Sequence, residues 1–472
     1  MTVRLVAGVD SSTQSTKVEV RDLDTGDVVA RGTAPHPATT PPRSEQDPMA
    51  WWAAFETAWS AAGSPIVEAI SVAGQQHGMV VLDGDREVIR PAKLWNDTET
   101  APDGGWLLKQ LPGGASDWAN AVGSVPVAAF TVTKLSWLHR TEPEHWARLA
   151  HLLLPHDWMT MRLTGELVTD RGDASGTGYW SPSSGEYRWD ILSIIDKDLD
   201  WSTVVPRVAA ATEVVGDWQG AKVACGTGDN MAAALGLGLQ TGVAVLSLGT
   251  SGTAYALSDR STADPTGAVA GFADATGCFL PLACTLNATK VTDAVARLLG
   301  VDHAEFDRLA LASPAGAAGV TILPYFDGER TPNLPEATGL MAGLRSDVSR
   351  EQLARAAVEG VVCGLLDALD ALGAQTTLSA VRLVGGGARS AAFRRVVSDL
   401  CDLPVSLADA DEAVATGACV QAAAVALDVT HRDVVERWNL GVGTPLAKST
   451  GDTAGVRARY RELRSATHPS TA

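Results

Sequence analysis

The chain is poor in positive charge, in cysteine and in every aromatic residue except tryptophan. Lys and Arg number 37 against 55 Asp and Glu, giving a formal charge of −18. Such a surface repels phosphate backbones and anionic lipid, which excludes nucleic acid and membrane surfaces as partners. The six cysteines (225, 278, 284, 363, 401 and 419) never come closer than six residues and lie in apolar stretches. That leaves neither a zinc knuckle nor a disulfide frame, and buried reduced thiols are expected. The nine His form no HExxH or comparable spacing, which argues against a protein-built zinc site. No apolar run approaches the roughly 18–20 residues a membrane helix needs, and the opening MTVRLVAGVD is apolar only briefly before Asp10, so a cytoplasmic protein is expected.

At 472 residues and 46% hydrophobic, the chain can bury a large core without disulfides, and its length predicts two or three domains. Tyr (5) and Phe (7) together are outnumbered by 14 Trp, and thirteen of those Trp fall within residues 1–218, leaving only Trp438 beyond. The two halves therefore differ in task or in packing.

Residues 3–9 read as a buried strand and 17–23 alternate with period two. Asp24-Thr25-Gly26 supplies turn chemistry before another apolar run, so the chain opens on an antiparallel meander. Asp47-Pro48 is a helix cap followed by Pro at the first helical position; the Trp51, Trp52, Phe55 and Trp59 stripe that follows reads as core. A strand over 67–73 leads into the loop Gly74-Gln75-Gln76-His77-Gly78. Residues 131–164 read as helical with a strand at 151–154 between. At Val243 the pattern of strand, small-residue loop and strand recurs, and the chain looks internally duplicated. The later half alternates strand and helix: 278–283, 287–299, 319–324, 350–373, 380–384, 389–401 and 411–427. Two α/β domains are predicted, 1–242 and 243–472.

Four segments are candidates for chemistry. Gly8 to Lys17 (GVDSSTQSTK) is a tight turn of small hydroxyl residues whose backbone N–H groups can cradle a phosphate, with Lys17 adding charge and Asp10 placed to hold Mg²⁺. A polar hairpin in which Asp10 caps the turn is the plainer alternative. Gly249-Thr250-Ser251-Gly252 is the same device in the second half. Gly385-Gly386-Gly387-Ala388 lies between a strand and a helix; its glycines admit a ligand close to the backbone and the helix N-terminus favours anions, although a tight turn would use the same residues. It is neither GxGxxG nor a Walker A loop. Finally, Gly226-Thr227-Gly228-Asp229-Asn230 sets an Asp before a small-residue helix, where it either faces a ligand or serves as an ordinary cap.

In order, DSSTQSTK, AGQQHG, LWND, GTGDN, SLGTSG, DGERTP and GGGARS, spread over positions 10–390, resemble the FGGY carbohydrate kinases and, within that family, the xylulose kinases. The resemblance implies two ribonuclease-H-like domains of the actin, sugar-kinase and Hsp70 superfamily with an interdomain cleft, sugar held mainly by the first and ATP mainly by the second. It implies ATP-dependent phosphorylation of a ketopentose, D-xylulose to D-xylulose 5-phosphate, with ATP and Mg²⁺ required. Another ketose or a pentitol, or an ATP-driven binding module of the actin and Hsp70 kind, are the alternatives. Members of the family often form homodimers, so a homodimer is the state to test.

Residue by residue, Asp229 matches the family's base and Asp10 its Mg²⁺-associated carboxylate. Gln76, His77 and Asn230 match the sugar contacts, and Trp95 is either a wall of the sugar pocket or core. Ser12, Thr13 and Lys17 fall on the first phosphate loop, Gly249, Thr250 and Ser251 on the second, and Gly386, Gly387 and Ala388 on the loop that holds the nucleotide's α-phosphate and adenosine. Departures from the pattern are Ser12 where Gly is usual, Gln76 where Met is frequent and Arg43 where an aromatic often stands. Asp229 is expected to keep the ordinary carboxylate pKa of about 3.9.

Overall fold

The computed structural model describes residues 3–409, 411–449 and 451–469. Each half opens on a β-hairpin whose first strand then acquires a parallel neighbour. In the first, β1 (Leu5–Ser11), β2 (Ser15–Asp22) and β3 (Val28–Pro35) form the expected meander. Helix α1 (Pro48–Ala61) follows, with Asp47 accepting from the Met49 amide as N-cap and Pro48 in the first turn. The chain returns as β4 (Ala69–Gly74), parallel to β1. After α2 (Pro155–Thr164) come β5 (Val214–Trp218), β6 (Ala221–Ala224), the two-residue β7 (Thr227–Gly228) and α3 (Asp229–Gly236). The sheet order is β5-β6-β4-β1-β2-β3, with β7 pairing on the end of β4.

Alternation within these strands sends side chains to two cores. Val9, Val18, Ile70 and Val72 pack with Trp51, Phe55 and Trp158 on one face. Val6, Ala69 and Ala224 pack on the other against Val420, Ala423 and Trp438. Because both faces are covered, β1 is buried from Val6 through Ser11 rather than alternating buried and exposed.

In the second half, β8 (Val243–Leu248), β9 (Gly252–Ala256), β10 (Phe279–Thr285), β11 (Ala380–Val384), β12 (Val405–Ala408) and β13 (Gly443–Pro445) align in the order β10-β9-β8-β11-β12-β13. The pairing senses match the first sheet step for step: antiparallel from the outer strand through the hairpin, parallel twice, then antiparallel. The duplication read from the sequence is therefore present in the backbone. Between β10 and β11 runs the long helix α4 (Arg350–Gln375), opened by a Ser349/Gln352 capping box, and α5 (Ala391–Leu400) follows β11.

A single cut at 242 does not describe the compact units. One comprises Met1–Leu239, Asp259–Leu280 and Ala410–Val442; the other comprises Gln240–Ser258, Pro281–Asp409 and Gly443–Ala472. Helix Ala413–Leu427, expected in the second domain, packs on β1, β4 and α3 of the first unit. Its apolar residues run all round the helix, which marks it as buried without naming its neighbours. The six cysteines are all free, but only four are buried: Cys278 and Cys284 are half-buried, short of the expectation. Among the described residues no single helix is long and apolar enough to cross a membrane.

Candidate active site

Register brings the first group of residues together. Asp10 and Ser11 of β1 lie opposite Ala73 and Gly74 of β4, and the same two β4 residues pair on their other side with Thr227 and Gly228 of β7. Asp10, the Gln75-Gln76-His77 loop and Asp229 thus emerge from three neighbouring parallel strand ends. In open α/β sheets, carboxyl ends of strands are where ligands bind.

Two groups of hydrogen bonds hold the loop residues, one around Asp229 and one around Thr13. Asn230 Nδ2 donates to Gln76 Oε1 (2.7 Å) and to Asp229 Oδ1 (3.1 Å), an oxygen that also accepts the Asn230 amide at 2.8 Å. Thr13 Oγ1 donates to Gln75 Oε1 (3.2 Å) and accepts from Trp95 Nε1 (2.8 Å). Gln46 Nε2 donates to Thr13 O at 3.1 Å, and Gln46 Oε1 accepts from the buried Trp51 at 2.7 Å. Trp95 is 43% exposed and tied to the first loop, so it is not a core residue. Gln75 and Gln46 are components that the sequence motifs did not single out.

His77 takes a left-handed backbone (φ 65°). Its ring packs on Phe130 (centroids 5.0 Å) and Phe272 (5.5 Å). Gly176 closes the same pocket, because a Cβ there would stand 2.4 Å from His77 Cε1. Phe272 belongs to the Asp259–Leu280 segment of this unit, and no local pattern in the sequence signals its place beside His77.

The electrostatics overturn one expectation. Burial, and secondarily the charge of Asp10, push Asp229 up to about 7 rather than leaving it near 3.9. A base of that strength suits proton acceptance near neutral pH far better. Burial likewise raises Asp10 to about 6, against the opposing pull of the Ser12 hydroxyl and Lys17. Lys17 Nζ is 4.0 Å from Asp10 Oδ2 but 2.5 Å from Glu412 Oε2, so its charge is largely engaged by Glu412. Ser12, at the position where Gly is usual, donates its hydroxyl to Asp10.

In the second unit, the two small-residue loops also lie side by side. Ser247 of β8 pairs with Val384 of β11, which aligns Gly249-Thr250-Ser251 with the Gly386–Arg389 turn. Thr250 and Ser251 are exposed, whereas Ala388 is buried. A Cβ on Gly387 would stand 2.9 Å from Leu248 Cβ, while at Gly386 nothing lies within 4 Å, leaving backbone open to a ligand. The anion site expected at the following helix is already filled: Asp307 accepts from Ser390 Oγ (2.6 Å) and from the Ala391 amide (2.8 Å) at the N-terminus of α5. Any phosphate contact here falls to the glycine turn.

A model of the FGGY carbohydrate kinase N-terminal domain matches residues 5–245, and that of the C-terminal domain matches 244–426. The chain belongs to the FGGY family of carbohydrate kinases. It is 49% identical to the xylulose kinase of Streptomyces coelicolor over 95% of this chain and 94% of that protein. It is 35% identical to that of Haemophilus influenzae over 88% and 89%. Among solved structures, the xylulose kinase from Bifidobacterium adolescentis is similar at a TM-score of 0.88 and 39% identity, covering 98% of this chain and 100% of that one. Plasmodium falciparum glycerol kinase with ADP, at a TM-score of 0.88 and 18% identity over 100% and 99%, shares the fold.

Proposed function

We propose that this FGGY kinase transfers the γ-phosphoryl group of ATP to the terminal hydroxyl of D-xylulose, giving D-xylulose 5-phosphate, with Asp229 as the base. The observation that carries the reading is the pair of carboxylates on the two strand ends that flank β4. Asp229, held by Asn230 beside Gln76, is raised to about 7 and so matched to accepting a hydroxyl proton. Asp10 is buried and short of positive charge because Lys17 is drawn to Glu412, which fits an oxygen ligand for a divalent cation. Mg²⁺ held there would neutralise charge on the transferring phosphoryl group. Gln76, His77, Asn230 and Trp95 orient the sugar. Backbone groups at Ser12 and Thr13, at Gly249, Thr250 and Ser251, and at Gly386, Gly387 and Ala388 bind the nucleotide's phosphates and adenosine, with Lys17 as a nearby charge. The first unit mainly takes the sugar, and the nucleotide is held mainly by the second.

Choice of D-xylulose over another ketose or a pentitol is supported by the xylulose kinases that match at 49% identity along nearly their whole length. Coupled ADP release with a panel of pentuloses, pentitols and glycerol tests the reading. D-Xylulose should give the highest kcat/KM. Preference for another sugar would overturn the substrate, and ATP turnover that no sugar raises above background would overturn the kinase assignment itself.

A further inference from the structure

One cluster of ionisable side chains lies outside every residue assigned above. His156, Asp157, Asp170 and Asp173 are buried, with exposures between 0% and 3%. His156 Nε2 lies 3.1 Å from Asp157 Oδ1, 3.3 Å from Asp170 Oδ1 and 3.4 Å from Asp173 Oδ2. Burial opposes charge on the imidazole, but the three acids outweigh it and raise His156 to about 9, so it is a cation at neutral pH. The compensation is incomplete, because three acids face one base, and burial pushes Asp157 up to about 6 and Asp173 upward. Buried ionisable groups are costly to keep, and they recur beside functional sites.

The position of the ring is specific. A Cβ on Gly74 would stand 2.9 Å from His156 Cβ, and one on Gly226 would stand 2.9 Å from its Nδ1, so His156 is wedged between two strand ends. Gly74 directly precedes Gln75-Gln76-His77, and Gly226 directly precedes Thr227-Gly228-Asp229. Asp170 joins the cluster to the second of these. Its Oδ2 accepts from Thr227 Oγ1 (2.7 Å) and from the Gly172 amide (2.8 Å), while Oδ1, on the His156 side, accepts the Asp173 amide at 3.0 Å.

We propose that His156 is a positioning residue for the base: through Asp170 and Thr227 it holds β7, and with it Asp229, in register with the strand end that carries Gln76. The inference rests on Asp229 being the base. Thr227→Val keeps the side chain's shape and removes its hydrogen bond to Asp170; His156→Gln keeps a planar polar group and removes the cation. Each is expected to lower kcat for D-xylulose about 10–100-fold while KM for ATP stays within about twofold. Because the effect passes through Asp229, adding Thr227→Val to Asp229→Asn should leave the residual rate unchanged.

Normal kcat in Thr227→Val overturns the proposal, and that variant decides the matter should His156→Gln fail to fold. It is equally overturned if Thr227→Val slows the Asp229→Asn enzyme by the same factor as it slows the native one, since that is general loosening. Normal turnover in Asp229→Asn would instead remove the base reading. An inactive Asp229→Asn alongside a fully active Thr227→Val would remove only the role of His156.

Discussion

Asp229 illustrates how a single side chain trades stability for chemistry. Its folded value of about 7 lies above the ordinary carboxylate value of about 3.9, so the folded state binds the proton more tightly than the unfolded chain does. That contribution to stability is fully present below about pH 4 and is lost as pH rises through about 7. Asp229→Asn, which cannot ionise, should therefore melt a few degrees above the native protein at pH 8, on the order of 1–2 kcal/mol, with the gap closing near pH 4. Its kcat should fall about 10²–10⁴-fold with sugar KM little changed. Thermal melts at the two pH values test the first part, and an equal gap at both would sink the buried-charge argument. Gly176 offers a second residue-scale test, because its backbone needs no glycine while its missing Cβ leaves 2.4 Å to His77 Cε1. Gly176→Ala should turn the His77 ring and raise sugar KM about tenfold, leaving KM for ATP alone. Unchanged sugar KM would take His77 out of the sugar site.

At the scale of elements, α3 depends on a helix almost two hundred residues away. Added Cβ atoms would stand 2.0 Å from Ala413 O at Gly236 and 1.8 Å from Ala232 O at Gly417, so these glycines let the two helices touch backbone to backbone. Gly417→Ala should push α3 outward, costing about 1–3 kcal/mol of stability and lowering kcat because Asp229 begins that helix. An unchanged melting temperature in that variant would contradict the contact. This pairing also shows what was legible in the sequence. Features written in local chemistry could be read directly: the Asp47-Pro48 cap, the two hairpins, the strand Ala380–Val384 and the order of the motifs. Features decided by partners distant in the chain could not. Helix Ala413–Leu427 was recognisable as a helix but not as part of the first unit, Phe272 gave no sign of meeting His77, and nothing near Ser390 announced that Asp307 would cap α5. The displaced pKa of Asp229 belongs with these, since it arises from burial and from Asp10, which lies more than two hundred residues earlier in the chain.

For the whole molecule, the tryptophan asymmetry is complete. Trp438, the lone Trp beyond residue 218, lies in the Ala410–Val442 part of the first unit, donates from Nε1 to Leu23 O at 3.2 Å and packs on Gly26. All 14 Trp therefore belong to the first unit, and the second has none. Most are packing residues, as Trp51, Trp118, Trp158 and Trp180 are, each almost fully buried. Three are more than a third exposed, Trp95, Trp106 and Trp189, and of these Trp95 is bonded to the site loop at Thr13. Intrinsic fluorescence should thus report the sugar. Titration with D-xylulose is expected to give a saturable change in emission, ATP alone a much smaller one, and Trp95→Phe should lose most of the sugar-dependent amplitude. An equal response to ATP would break the assignment of sugar to the Trp-bearing unit. Full amplitude in Trp95→Phe would leave that assignment standing and move the sugar away from Trp95.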